Sequence, residues 1–97
     1  MPANLKRIRA LIKLGNHLLH FDANQNSYAK LNSHVSLAIL ANGWFTIDYI
    51  QKTFFEWGNA LQESKLLSWL KPYTFSVNKP NQTVALILAG NIPLVGF

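Results

Sequence analysis

Histidine and glutamate are the side chains of this sequence whose spacing first suggests chemistry. His17 and His20 stand three residues apart and His34 follows later, a donor set that a metal site can use. No carboxylate stands at companion spacing, and histidines on an amphipathic helix usually lie at its surface or boundary, so we predict no metal site. Glu56 and Glu63 would share one face of a continuous helix, as an acid–base pair does, but a solvated face is the preferred interpretation.

A turn near the C-terminus is the second candidate. Gly90-Asn91 follows an apolar run, and Pro93 comes two residues later. Taken by itself, Gly-Asn after a strand indicates an ordinary turn. Gly90 lets the backbone turn tightly and approach a ligand, and Pro93 can begin a helix because its missing N–H costs nothing there.

The composition describes one small globular domain. The chain has 97 residues, of which 49% are hydrophobic and 12% aromatic, and a disordered chain would be poorer in aromatic residues and richer in charge. Cysteine is absent, which excludes disulfides and thiolate nucleophiles and makes a reducing, cytoplasmic location the default. The N-terminus lacks the unbroken apolar stretch of a signal peptide.

The net charge of +5 reflects few acids rather than a dense basic patch, since charged residues make up only 13% of the chain. Cations scattered among leucines and isoleucines at the N-terminus are Lys6, Arg7, Arg9 and Lys13. No aromatic platform or recognition motif accompanies them, so we predict no nucleic-acid partner. The longest apolar run, 84–89, is far shorter than the roughly 20 residues of a membrane span.

Hydrophobic periodicity predicts about four helices between residues 4 and 72. The first covers 4–21 with Asn4 as its N-cap, the second begins after Ser27, and the fourth covers 63–70. Asn42-Gly43 is expected to close the second helix in the left-handed conformation, and Lys71-Pro72 to end the fourth.

The third helix has the most regular apolar stripe and follows an expected N-cap at Thr46. Its stripe consists of Ile47, Ile50, Phe54, Trp57 and Leu61. The middle of the chain is also rich in aromatic residues, for which core packing is favoured over the floor of an acyl pocket. These are Trp44, Phe45, Phe54, Phe55, Trp57 and Trp69.

The segment 83–89, Thr-Val-Ala-Leu-Ile-Leu-Ala, predicts a strand buried on both faces, as in a parallel sheet. Such a strand needs neighbours that satisfy its backbone donors and acceptors. Residues 73–77 provide at most a short edge strand. The pattern therefore predicts a mainly α fold with a C-terminal β-strand that requires strands from elsewhere.

The stretch 85–97, ALILAGNIPLVGF, resembles the end of the N-terminal region in bacterial acyl-CoA reductases of the luminescence type, which are relatives of the aldehyde dehydrogenase superfamily. Fainter similarity covers RIRALIKLGNHL (7–18), NGWFTIDYIQKTF (42–54) and LLSWLKPY (66–73). The resemblance spans most of this chain but only the leading part of such an enzyme. It implies that 1–97 is a helical N-terminal region of an α/β fold, in which 83–89 is the first strand of an incomplete dinucleotide-binding domain.

By this resemblance, the parent enzyme reduces a fatty acyl-CoA or related acyl thioester to an aldehyde with NADPH, through an acyl-enzyme on a cysteine that lies later in the chain. Asn91 matches an asparagine whose amide stabilises the oxyanion, and Gly90 and Pro93 would lie near the cofactor. A neutral amide aimed at developing negative charge fits that role. Gly90 stands where aldehyde dehydrogenases proper commonly have a bulky aromatic residue. We expect the 97-residue chain alone to be inactive.

A second hypothesis is a non-enzymatic helical module that pairs its C-terminal strand with a partner sheet. In isolation the same unpaired edge would allow a homodimer to form. Continuation of the reading frame past Phe97 into a dinucleotide-binding domain with a cysteine would distinguish the enzyme from the module.

Overall fold

The computed structural model describes residues 5–74, 81–88 and 90, and the first of these ranges contains four α-helices. The helices are α1 (Leu5–Leu19), α2 (Ala29–Ala41), α3 (Ile47–Ala60) and α4 (Glu63–Leu70), with a short 3₁₀ helix (Asn26–Tyr28) before α2. The prediction of a mainly α fold with four helices is confirmed. No strand is present in the described ranges.

Two glycines allow α1 and α3 to cross at very short range. A Cβ atom added at Gly58 would lie 2.8 Å from the backbone nitrogen of Leu19 and 2.9 Å from the carbonyl oxygen of Gly15. A Cβ atom at Gly15 would lie 2.6 Å from the Cβ of Leu61. Because real Cβ atoms do not approach this closely, only glycine fits at both positions, and the helix backbones themselves form the contact.

The core lies where α1, α2 and α3 meet. Its buried side chains are Leu18, Val35, Ile50 and Phe54. Phe21, in the connection after α1, packs edge-on against Phe54 with ring centroids 5.2 Å apart and against Tyr28 at 5.4 Å. Edge-to-face pairs of this kind contribute about 0.5–1.5 kcal/mol beyond the area they bury.

The predicted helix starts are confirmed at one position and wrong at another. Thr46 is the N-cap of α3, and its Oγ1 accepts a hydrogen bond from the backbone N–H of Tyr49 at 3.2 Å. Ser27 is not a cap, because it lies inside the 3₁₀ helix, and α2 starts at Ala29 without a side-chain cap. The buried Tyr28 explains the difference, since its hydroxyl donates to the carbonyl oxygen of His17 at 2.8 Å and attaches this turn to α1.

α2 and α4 end where the sequence predicts, but the conformations at these ends differ from expectation, and α1 ends at Leu19, two residues before its predicted end. α2 ends before Asn42, which is extended (φ −137°, ψ 109°) rather than left-handed. The side-chain Oδ1 of Asn42 accepts a hydrogen bond from the N–H of Trp44 in the following turn. No left-handed residue is therefore needed to end the helix. α4 ends before Lys71, which is still helical (φ −53°, ψ −43°) although it precedes Pro72. Helical backbone geometry therefore extends through the residue that proline restricts, and the N–H of Lys71 donates to the carbonyl oxygen of Leu67.

The predicted C-terminal strand is not formed by the described residues of this chain alone. Residues 83–88 have no regular secondary structure and their side chains are exposed. A strand requires a hydrogen-bonded neighbour, and residues 81–88 have none in the described part of the chain. The proposed edge strand at 73–77 and the N-cap Asn4 lie wholly or partly outside the described residues.

No helix in the described part of the chain is both long enough and apolar enough to cross a membrane.

Candidate functional site

The connection between α2 and α3, residues 42–46, is a tightly hydrogen-bonded turn. The backbone N–H of Asn42 donates to Ala38 at 3.0 Å, and its carbonyl oxygen accepts from the N–H of Phe45 at 3.0 Å. The side-chain Oδ1 of Asn42 accepts from the N–H of Trp44, also at 3.0 Å. This is the local arrangement that asparagine favours in turns. Together with the Thr46 cap, it orders the whole connection.

The same turn contacts the C-terminal segment. The side-chain Nδ2 of Asn42 donates a hydrogen bond to the carbonyl oxygen of Gly90, 48 positions later in the sequence. Two of the segments that carry the family resemblance, 42–54 and 85–97, therefore meet at this point. Asn91 and Pro93, the other residues predicted for the site, lie outside the described residues, so Gly90 is the part of that prediction that the structure places.

The segment 84–88 next to this contact exposes large apolar side chains. The exposed fractions are 75% for Val84, 67% for Leu86, 101% for Ile87 and 53% for Leu88. Leu86, Ile87 and Leu88 are consecutive and all exposed, so the described residues do not cover this segment. A contiguous exposed apolar run of this kind is typical of a surface that contacts another structure.

The aromatic residues predicted for the core divide into two groups. Phe54 is buried, and Phe45 and Trp57 pack against the core. Trp44, Phe55 and Trp69 are 72%, 57% and 64% exposed, so the core prediction is wrong for these three. Consecutive helical residues point about 100° apart. A helix that buries Phe54 on one contact face cannot bury Phe55 on the same face.

The histidines occupy separate positions. The ring of His17 stacks on Tyr28 with centroids 4.4 Å apart, and His34 is exposed on α2. Nδ1 of His20 lies 2.9 Å from the carbonyl oxygen of Asn16, and because a carbonyl oxygen can only accept, Nδ1 carries the proton in this contact. The part of the chain that the structure describes contains no group of three or more residues able to hold a metal ion.

The glutamate pair does not share a helix. α3 ends at Ala60 and Glu63 is the first residue of α4, while Glu56 is exposed on α3. Leu61 and Gln62 interrupt the helix between them, so the two glutamates do not lie on one continuous helix face. Both carboxylates are exposed to solvent, as the solvated-face interpretation predicts.

Comparisons with protein-family models, with curated proteins and with solved structures found no match to this chain. The chemical interpretation of the site therefore depends on its own residues and on the resemblance given above.

Sequence reasoning missed the side-chain role of Asn42. It used this residue only as a helix stop, whereas the structure uses its backbone for the turn and its amide for Gly90. The asparagine at the end of a helix could have indicated this role, because its side chain has both a hydrogen-bond donor and an acceptor. The partner, Gly90, is too distant in sequence to be found by periodicity.

Proposed function

We propose that this chain is the N-terminal region of an acyl thioester reductase that converts fatty acyl-CoA to aldehyde with NADPH. The motif of residues 85–97 supports the proposal. So does the similarity of residues 42–54, because Asn42 of that segment contacts Gly90 of the motif. In this proposal the helices α1–α4 pack beside the dinucleotide-binding domain, and residues 83–89 become its first strand when neighbouring strands are present.

The observation that carries the proposal is the exposed apolar segment 84–88. Burial of apolar side chains contributes about 25 cal/mol per Å² removed from water. In this chain Val84, Leu86, Ile87 and Leu88 are exposed and do not contribute this stabilisation. A central strand of a parallel sheet is apolar on both faces because helices cover both faces. The segment fits that position.

Asn91 is the residue proposed to act on the substrate. When a thiolate attacks the thioester carbon, the carbonyl oxygen gains negative charge, and a preorganised side-chain amide donor stabilises that charge. The chain has no cysteine, so the nucleophile must come from sequence outside these 97 residues. The chain alone is therefore expected to be inactive.

In the proposed reaction, bound NADPH would supply the hydride that releases the acyl group from the cysteine as an aldehyde. Gly90 is the described residue assigned to the cofactor, and a Cβ added there would meet no described atom within 4 Å. One open position does not make a dinucleotide site, so the described residues by themselves do not fit the cofactor. The remaining contacts would have to come from the rest of the dinucleotide-binding domain.

The test is an assay of the protein encoded by the complete reading frame, with NADPH oxidation measured against a series of acyl-CoA chain lengths. Asn91→Ala is expected to lower kcat about 10²- to 10³-fold, as loss of one oxyanion donor does. Asn81→Ala, a matched change at an exposed asparagine, is expected to leave kcat unchanged. Absence of NADPH oxidation with every acyl-CoA would refute the reductase proposal.

A non-enzymatic module remains the second candidate, and one observation favours it specifically. Leu40 and Trp44, at the end of α2 and in the following turn, are 84% and 72% exposed, in addition to the exposed segment 84–88. Strand addition uses the backbone of such a segment for affinity and its side chains for specificity. Sedimentation of the 97-residue chain tests this candidate in its homodimer form, with Ile87→Asp expected to abolish any dimer.

A further inference from the structure

Asn42 makes a hydrogen bond that connects the helical part of the chain to its C-terminal segment. Its Nδ2 donates to the carbonyl oxygen of Gly90. Residues 81–88 on the approach to this point are exposed and have no regular secondary structure. The contact at Gly90 therefore fixes a segment that is otherwise little restrained by the described residues.

The Asn42 side chain is itself held in one orientation. Its Oδ1 accepts from the N–H of Trp44 at 3.0 Å, so the other end of the amide, Nδ2, faces Gly90. Its backbone is bonded on both sides, through its N–H to Ala38 and through its carbonyl oxygen to Phe45. A group held by three separate hydrogen bonds provides a defined anchor for the fourth.

We propose that Asn42 is a positioning residue that sets the direction of the peptide unit after Gly90. The inference rests on the proposed function, in which Asn91 is the oxyanion donor. Because the peptide bond is planar, the direction of the Gly90 carbonyl also sets the direction of the bond to the next residue. Glycine has the greatest backbone freedom of any residue. An external anchor at its carbonyl removes part of that freedom immediately before the reacting side chain.

Asparagine is the side chain that this arrangement requires. It must accept from Trp44 and donate to Gly90 at the same time, through two atoms of one planar group. An ionised carboxylate has acceptors only, and alanine has neither a donor nor an acceptor. Asn42→Asp therefore keeps the turn and removes the donor, whereas Asn42→Ala removes both hydrogen bonds.

The first experiment uses the 97-residue chain and does not depend on the proposed reaction. NMR order parameters are measured for the backbone N–H of Leu88, Gly90 and Trp44. Asn42→Asp at neutral pH is expected to bring the Leu88 and Gly90 values below about 0.6, the flexible range, while Trp44 keeps its wild-type value. Ala41→Asp, which places the same charge on the last residue of α2 without touching the anchor, is expected to change none of them.

Acidification provides a readout that a purely structural defect would not show. Below about pH 4 the introduced carboxyl group becomes protonated and can donate a hydrogen bond again. In Asn42→Asp the Leu88 and Gly90 order parameters are then expected to recover, whereas in Asn42→Ala they stay low. Unchanged order parameters in both variants at neutral pH would overturn the anchor itself.

The second experiment uses the protein from the complete reading frame. Asn42→Asp is expected to lower kcat about 10- to 100-fold, the effect of a misplaced reacting group, and Ala41→Asp is expected to keep the wild-type rate. An active wild-type enzyme with an undiminished kcat in Asn42→Asp would overturn the positioning role. A wild-type protein without reductase activity would instead refute the proposed function and the catalytic purpose of the anchor, whatever the order parameters show.

Discussion

The helical part of this chain and the segment 84–88 both contain large apolar side chains, but they differ in how far those side chains are buried. In residues 5–74, each helix buries at least one apolar side chain, such as Ile8 on α1 and Leu66 on α4. In residues 84–88, the large apolar side chains are all exposed. A helix satisfies its own backbone and needs only one covered face. A strand needs neighbours for its backbone as well as cover for both faces, so it cannot be completed locally.

The largest loss of stability is expected when a side chain of the helical core is removed. Phe54→Ala is expected to lower the free energy of unfolding by about 3–5 kcal/mol, because the buried ring contributes transfer free energy and leaves a cavity. The adjacent residue is a matched control, since Phe55 is 57% exposed and Phe55→Ala is expected to cost far less. Urea denaturation measures both. Equal losses in the two variants would contradict the core assignment.

A substitution at Gly58, where α1 and α3 cross, tests whether the stability of the helical part depends on close contact between the two helix backbones. Gly58→Ala is expected to destabilise the chain by about 1–3 kcal/mol, the usual range for overpacking, because the new methyl group would overlap Leu19 and Gly15. Alanine is otherwise the better helix former, so a stabilised variant in thermal denaturation would show that the helices are further apart than described.

Gly43→Ala is the control for the crossing. A Cβ at this position would meet no described atom within 4 Å, so the substitution is expected to be neutral or to stabilise by about 0.4–1 kcal/mol through the unfolded state.

The start of α3 offers a smaller test of local helix stability. Thr46→Ala is expected to lower the free energy of unfolding by about 1 kcal/mol, because the N–H of Tyr49 loses its side-chain acceptor. Thr46→Ser retains an acceptor and is expected to stay close to wild type. Denaturant titration followed by circular dichroism distinguishes them. A Thr46→Ala variant as stable as wild type would show that the cap is not needed once α3 is packed.

The smallest effect on the unfolding free energy is expected from a substitution in the exposed segment 84–88. This result would separate the segment from the helical core. Ile87→Asp should change the unfolding free energy by no more than about 0.5 kcal/mol, as is usual at a surface, because the Ile87 side chain is fully exposed. The same substitution should prevent the segment from entering a sheet. Reductase activity of the complete protein, or self-association of this chain, should then be lost while the helices remain folded. A large loss of stability would show that the segment belongs to the helical core.

The sequence predicted the helices well because their signals are local. The stripe that includes Ile50 and Phe54, the Thr46 cap and the 63–70 helix all appear as expected. The errors involve tertiary contacts. Ser27 does not cap α2 because Tyr28 is bound to α1, and Trp44 and Trp69 are exposed although their residue type favours burial.

The candidate site was predictable only in part. Gly90 was identified from its motif, whereas Asn42 was recognised only as the end of a helix. Isolated glycines inside two predicted helices were a further unused signal, since such glycines often mark close packing. Which glycines meet depends on how the helices cross, and a single sequence does not specify that.

The amino-acid sequence by itself determined where the helices lie and which face of each is apolar, because helical hydrogen bonds and side-chain periodicity act over three to four residues. Tertiary structure decided which residues meet across long separations, namely Gly15 with Gly58 and Asn42 with Gly90. It also decided that residues 83–88 form no strand in this chain, because strand pairing depends on a neighbouring backbone and the described residues offer none.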